Sequence, residues 1–185
     1  LVLPKGTSHW DPALPVGCAS ARRKMQFQQL YPEAVIQPVR GNVLTRLEKL
    51  DSGEYGALIL AEAGLKRLGL SDRISYRFSP EELVPAAGQG ILAIQTRAGE
   101  YADLLARLNS PDGALCAKTE RQLASLLGGD CSAPVGCHAQ LHGTDMTLYG
   151  FSGIGGVPRY GSVQGNRNDA DLLVQQLASK LTITE

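Results

Sequence analysis

Up to about residue 80, short apolar runs alternate with stretches of helical periodicity. The segment "LPVGCASARRKMQFQQL" (14–30) reads as a short strand, a tight turn and a helix with Ser20 as its N-cap. "AVIQPV" (34–39) is a second strand. "GNVLTRLEKLDSG" (41–53) predicts a helix capped by Asn42, with Val43, Leu47 and Leu50 on one face and Gly53 as its stop. "YGALIL" (55–60) predicts a buried strand, and "AEAGLKRLGL" (61–70) a short helix after it. Strands alternating with helices imply α/β architecture, a parallel or mixed sheet covered on both faces.

Beyond this point the rhythm changes. A Pro- and Gly-rich loop, "SPEELVPAAGQG" (79–90), leads into an expected strand, "ILAIQTR" (91–97). Amphipathic helices are expected over "GEYADLLARLN" (99–109) and "PDGALCAKTERQLASLLGG" (111–129), the second ended by glycines. From 134 come three strand-like runs, "VGCHAQLHG", "MTLYGFSG" and "VPRYGSV", and then a last helix, "NDADLLVQQLASKL", capped by Asn168 or Asp169. The order α-β-β-β-α reads as α+β: a small three-stranded antiparallel sheet with helices on one face. There is no internal repeat and no low-complexity tract.

Eighteen basic residues balance eighteen acidic ones, so no global field points to nucleic acid or to a membrane surface. No apolar run approaches the roughly 20 residues of a membrane helix. The chain begins at Leu1 rather than Met and shows no signal peptide, which suggests a piece of something longer. Four cysteines (Cys18, Cys116, Cys131, Cys137) are too sparse for a disulfide scaffold and fit reduced thiols in a cytoplasmic protein.

Neutral overall charge conceals a local concentration. Arg22, Arg23 and Lys24 fall in the first turn of the first helix, Arg40 follows the second strand, and Arg46 lies in the next helix. Basic residues in a first turn oppose the helix dipole. The arrangement makes sense if an anion binds there, because backbone N–H groups, the dipole and guanidinium forks then address one negative group. A carboxylate or phosphate suits the planar fork of arginine. The competing reading is a solvated basic face.

"LLGGDCSAPVGCHA" (126–139) poses a second question. Cys131 stands just past two glycines in a polar loop, where there is little to pack against. It could be a zinc ligand with Cys137 and His138, although a fourth ligand is missing at any recognised spacing. It could pair with Cys137, be a bystander, or be a reactive or modified thiolate drawing on nearby positive charge.

Three stretches carry a specific likeness. "RGNVLTRLEKLDSGEYGALILAEAGLKRLGL" (40–70), "LVPAAGQGILAIQTR" (83–97) and "TERQLASLLGGDCSAPVG" (119–136) resemble the porphobilinogen deaminase family, also called hydroxymethylbilane synthases. The resemblance implies three α/β domains, the first two like the halves of a periplasmic-type binding protein with the active site between them. Residues 1–88 would be the second domain, 89–110 a crossover strand and helix belonging to the first, and 111–185 the carboxyl-terminal cofactor-attachment domain. The implied reaction is stepwise condensation of four porphobilinogen units, with loss of ammonia, onto a dipyrromethane cofactor linked through sulfur. Cys131 would be the attachment residue. Ser20, Arg22, Arg23, Arg40, Gly41 and Arg46 would bind the cofactor, and Arg22, Arg40, Arg46 and Gln89 the substrate, with Gln89 and Gly90 near a hinge.

The sequence departs from the family in two places. "GCASARR" puts Cys18 and Ala19 where hydroxyl residues are usual, and the His-Ser-x-Lys-Asp stretch with the catalytic aspartate does not occur. Asp51 and Glu54, at a helix end, read as solvated rather than catalytic. The chain is therefore expected to be the carboxyl-terminal portion of a transferase, inactive alone, with Cys131 a thiol and no metal. Its expected partners are porphobilinogen and the missing first domain. The complete enzyme would be monomeric; the fragment is expected to self-associate through the exposed crossover piece. A non-catalytic carboxylate-binding module and a small zinc protein are the alternatives.

Overall fold

The computed structural model describes residues 1–129 and 133–182. The chain forms two compact units, Leu1–Leu83 and Val84 onward.

The first unit is built on a parallel sheet of short strands, β1 (Val16–Gly17), β2 (Ile36–Gln37) and β3 (Ala57–Leu58), in the order β2-β1-β3. Val16 lies opposite both Ile36 and Ala57. An isolated antiparallel bridge from Val2 to Leu58 makes the sheet mixed. The strands are shorter than the apolar runs around them, because ladder pairing is confined to the centre while flanking residues such as Val39 and Tyr55 are buried by packing. Helices α1 (Ala21–Leu30), α2 (Val43–Asp51) and α3 (Glu62–Arg67) follow the three strands.

Side chains alternate across a strand, and two separate apolar clusters result. Val16, Ala57 and Ile59 pack with Phe27 of α1. Leu58, between Ala57 and Ile59, packs instead with Leu47 and Leu50 of α2 and Leu65 of α3. The sheet is thus covered on both faces, as expected.

The second unit contains α4 (Ala102–Leu108), α5 (Pro111–Leu126), antiparallel strands β4 (Val135–His142), β5 (Asp145–Ser152) and β6 (Arg159–Asn166), and α6 (Ala170–Leu181). Leu123 and Leu127 near the end of α5 join Leu173, Val174, Leu177 and Leu181 of α6 over Cys137, Met146 and Leu148 of the sheet. Gly150 allows this approach, since a Cβ there would meet Leu181 Cδ1 at 2.5 Å.

Residues 91–97, expected to pair within the sheet of a first domain, have no ladder partner among the described residues, and Leu92 is 88% and Ile94 60% exposed. An extended segment becomes a strand only with a ladder partner. The same stretch, with Leu105 and Leu108 of α4, lines an open groove of about 790 Å³. Asp169 is the N-cap residue of the last helix, as expected, though its side chain makes no cap bond; Asn166 accepts a bond from the Asn168 amide and starts a short 3₁₀ turn ahead of α6. Among the described residues, no helix is long and apolar enough to cross a membrane.

Candidate functional site

At the carboxyl end of β1 the chain turns through Cys18 and Ala19 into α1. Ser20 Oγ accepts a 3.4 Å bond from the Arg23 amide, the N-cap that fixes the first turn. At the end of β2, Asn42 Oδ1 accepts bonds from the Thr45 amide at 2.9 Å and the Thr45 hydroxyl at 3.1 Å. Gly41, immediately before it, has φ +111°, and a Cβ there would meet the Thr45 side chain at 2.9 Å. Only glycine fits this position without strain. Arg46 Nε, one turn into α2, donates to the Gly41 carbonyl at 2.8 Å. β1 and β2 are adjacent and parallel, so both turns and both helix starts lie at the same end of the sheet. In open α/β sheets that end collects ligands.

Neither α1 nor α2 has an acidic residue in its first turn. Arg22 is buried, 6% exposed, beside the fully buried Gln26 one turn on. Arg23 is partly buried, which pushes its guanidinium below the ordinary arginine value; the neighbouring Arg46 pushes the same way. Burial likewise raises the Cys18 thiol, opposed by its 3.6 Å bond to the Ser20 carbonyl and by the fields of Arg23, Arg22 and Arg46. The structure therefore gathers Arg22, Arg23 and Arg46 around Cys18. Among the described residues, Arg23, Arg40 and Arg46 have no carboxylate within ion-pair distance. Arg40 is exposed beside Gly41.

Holding like charges together in a partly desolvated place is costly. Guanidinium groups gathered at two helix N-termini can meet a multiply charged anion with charge-assisted hydrogen bonds.

The other expected site residues lie elsewhere. Gln89 belongs to the second unit, where its Oε1 accepts the Ala86 amide at 3.2 Å within its own turn. Cys131 lies outside the described residues. Of its imagined zinc partners, Cys137 is fully buried, whereas His138 is partly exposed and has Nδ1 3.4 Å from Glu120 Oε1. Adjacent strand residues point to opposite faces, so these two do not converge on one ion. Asp51 is exposed, as expected, and is also a tie: Arg73 donates to both its oxygens, at 2.8 and 3.1 Å, and the Lys5 amide donates at 3.1 Å. Glu54 is exposed, 3.9 Å from Lys49.

One residue went unnoticed in the sequence. Glu120 is 3% exposed and accepts backbone bonds from Gly88 and Ala139. The signal was present, since Glu120 shares the apolar face of α5 with Cys116 and Leu123.

Residues 1–104 match the family described as porphobilinogen deaminase, dipyromethane cofactor binding domain, and residues 114–182 match porphobilinogen deaminase, C-terminal domain. Curated relatives named porphobilinogen deaminase include one from Acetivibrio thermocellus, 44% identical over 98% of this chain and 62% of its own length. Another, from Thiobacillus denitrificans, is 44% identical over 94% of this chain and 58% of its length. A third, from Chromobacterium violaceum, is 46% identical over 90% and 55%. The chain thus spans about three fifths of the length of these relatives. It belongs to the porphobilinogen deaminase family.

Proposed function

We propose that this chain supplies the polycarboxylate-binding and cofactor-attachment parts of a hydroxymethylbilane synthase. This is a transferase that joins four porphobilinogen units, releasing one ammonia per unit, onto a dipyrromethane held as a thioether at Cys131. The observation that carries the reading is the gathering of Arg22, Arg23 and Arg46 around Cys18 at the starts of α1 and α2. Every pyrrole ring of such a chain bears an acetate and a propionate arm, so the anion grows by two charges per unit. Arg22, Arg23 and Arg46, with Arg40 at the rim, fit such a ligand. When bound, the dipyrromethane provides the terminal pyrrole carbon that accepts the first unit.

The protein's own residues bind and orient. Guanidinium forks hold carboxylates in pairs of parallel bonds and fix the rings against rotation. The Ser20 hydroxyl hydrogen is available to a further carboxylate oxygen, because its oxygen already accepts from the Arg23 amide. In this reading the first unit is one half of a binding-protein-like pair, residues 89–110 cross to the absent half, and 111–185 carry the attachment cysteine. Asp51 does not take the role of the family's catalytic aspartate, since it is engaged by Arg73. The chain alone does not turn over porphobilinogen.

Titration of porphobilinogen into ¹⁵N-labelled chain tests this directly. Amides of residues 20–24 and 41–46 should shift together and saturate, and no hydroxymethylbilane should form. An absence of shifts at those amides, or turnover by the isolated chain, would overturn the reading. An intact mass raised by a dipyrromethane at Cys131 would separate the enzyme from a non-catalytic anion-binding module. The exposed crossover segment should drive self-association, which small-angle scattering across a concentration series would read.

A further inference from the structure

β4 is an edge strand, paired with β5 on one side only. Its odd-numbered amides face the open side, and two of them meet partners from elsewhere in the unit. The Cys137 amide donates to the Pro85 carbonyl at 2.8 Å. Two residues on, the Ala139 amide donates to Glu120 Oε1 at 2.9 Å. The other oxygen of the same carboxylate accepts the Gly88 amide at 2.7 Å. A side chain from α5 thus occupies the place a neighbouring strand would take, and it pins the 85–88 loop to β4. Its basic neighbour is His138, whose ring stacks on Tyr149 with centroids 6.3 Å apart.

This carboxylate connects three segments that matter to the proposed reaction. α5 precedes Cys131 in the sequence and β4 follows it, while Gln89 comes directly after Gly88. Bonds from backbone N–H groups to a desolvated carboxylate are among the stronger and more directional hydrogen bonds in proteins. A core needing only volume at this position would have been filled by leucine. We propose that Glu120 is a positioning residue: it holds the 85–90 loop, and with it Gln89, in fixed register with the two elements that flank Cys131. This rests on the reading of Cys131 and Gln89 given above.

The test uses the 185-residue chain with Glu120→Gln, which keeps size and one acceptor but turns an amide NH₂ toward a backbone donor. Hydrogen exchange at Gly88 and Ala139 should accelerate about tenfold or more, while amides of Val174 and Leu177 keep their protection. Alkylation of Cys131 by iodoacetamide, followed by peptide mass, should change by a factor of about three or more, with Cys116 unaffected. Glu120→Asp, which retains the charge on a shorter arm, should restore part of both effects. Unchanged exchange at Gly88 and Ala139 would overturn the proposal. So would a uniform loss of protection across the second unit, which would make Glu120 merely a stability residue, or an unchanged Cys131 rate. The porphobilinogen titration reads the first unit and this experiment the second, so either can fail without the other.

Discussion

In the first unit, cationic side chains gather at the ends of β1 and β2, and among the described residues Arg23, Arg40 and Arg46 have no carboxylate within ion-pair distance. In the second, a single buried carboxylate is met by the Gly88 and Ala139 amides, with His138 alongside. Both regions bury charge, but only one closes its hydrogen-bond account internally. A charge whose partners are all present belongs to the fold. In the proposed function, cations gathered against their own repulsion serve a ligand.

Removing charge from each region should therefore have opposite consequences. Glu120→Ala orphans two buried N–H donors at once. At about 1–3 kcal/mol for each unsatisfied group, the second unit should lose roughly 2–6 kcal/mol, read by urea denaturation. A loss below about 0.5 kcal/mol would mean the carboxylate is not the link it appears in the geometry.

Arg23→Leu and Arg46→Leu should behave in the reverse sense. Stability should stay within about 0.5 kcal/mol or rise, because a like-charge contact is relieved. Affinity for porphobilinogen should fall about 10- to 100-fold for each, the equivalent of one or two charge-assisted bonds. Calorimetry and denaturation on the same samples separate the two effects. If stability fell while binding held, these arginines would be structural and the contrast between the units would fail.

Asn42→Ala is smaller and bridges the two categories. It removes the cap at the Thr45 amide and should cost about 1 kcal/mol. It should also weaken anion binding severalfold, because the cap holds the turn whose Gly41 carbonyl orients Arg46. Thr45→Ala, which keeps the bond donated by the residue 45 backbone amide to Asn42 Oδ1, should lower stability less.

What could be read from the sequence follows the range of the interactions. Ser20 and Asn42 were recognisable as caps because each bonds an amide three residues ahead. The α-β-β-β-α order was legible because hydrophobic period and turn residues are local. Glu120 was not, since its partners are 32 residues before and 19 after it. Asp51 is exposed as read, but its tie to Arg73, 22 residues on, has no pattern in the sequence that links the two. Residues 91–97 have strand-like composition, yet strand formation is decided by a neighbour that local pattern cannot supply. The arginines were visible as a cluster; that Arg22 is buried while Arg40 is exposed depends on the packing of α1 against the sheet.

A last prediction concerns charge that is paired but solvated. Glu62, at the start of α3, lies 2.7 Å from Lys66 one turn ahead and 2.8 Å from Arg77. Hydrogen bonds from Lys66, then Arg77, hold its carboxyl down at about 2, from an ordinary 4.5. Because the folded value is the lower one, the stabilisation is fully present above about pH 4.5 and is lost as pH falls toward 2. The pair is exposed, so its effect on folding should be the smallest of these and should fade in about 1 M salt. Carboxyl ¹³C titration should show the value climbing back toward 4.5 in Lys66→Ala, and by less in Arg77→Ala. Equal values in wild type and both variants would show that ion-pair geometry in this unit does not set charge energetics, and the inference drawn from the lone arginines would lose its footing too.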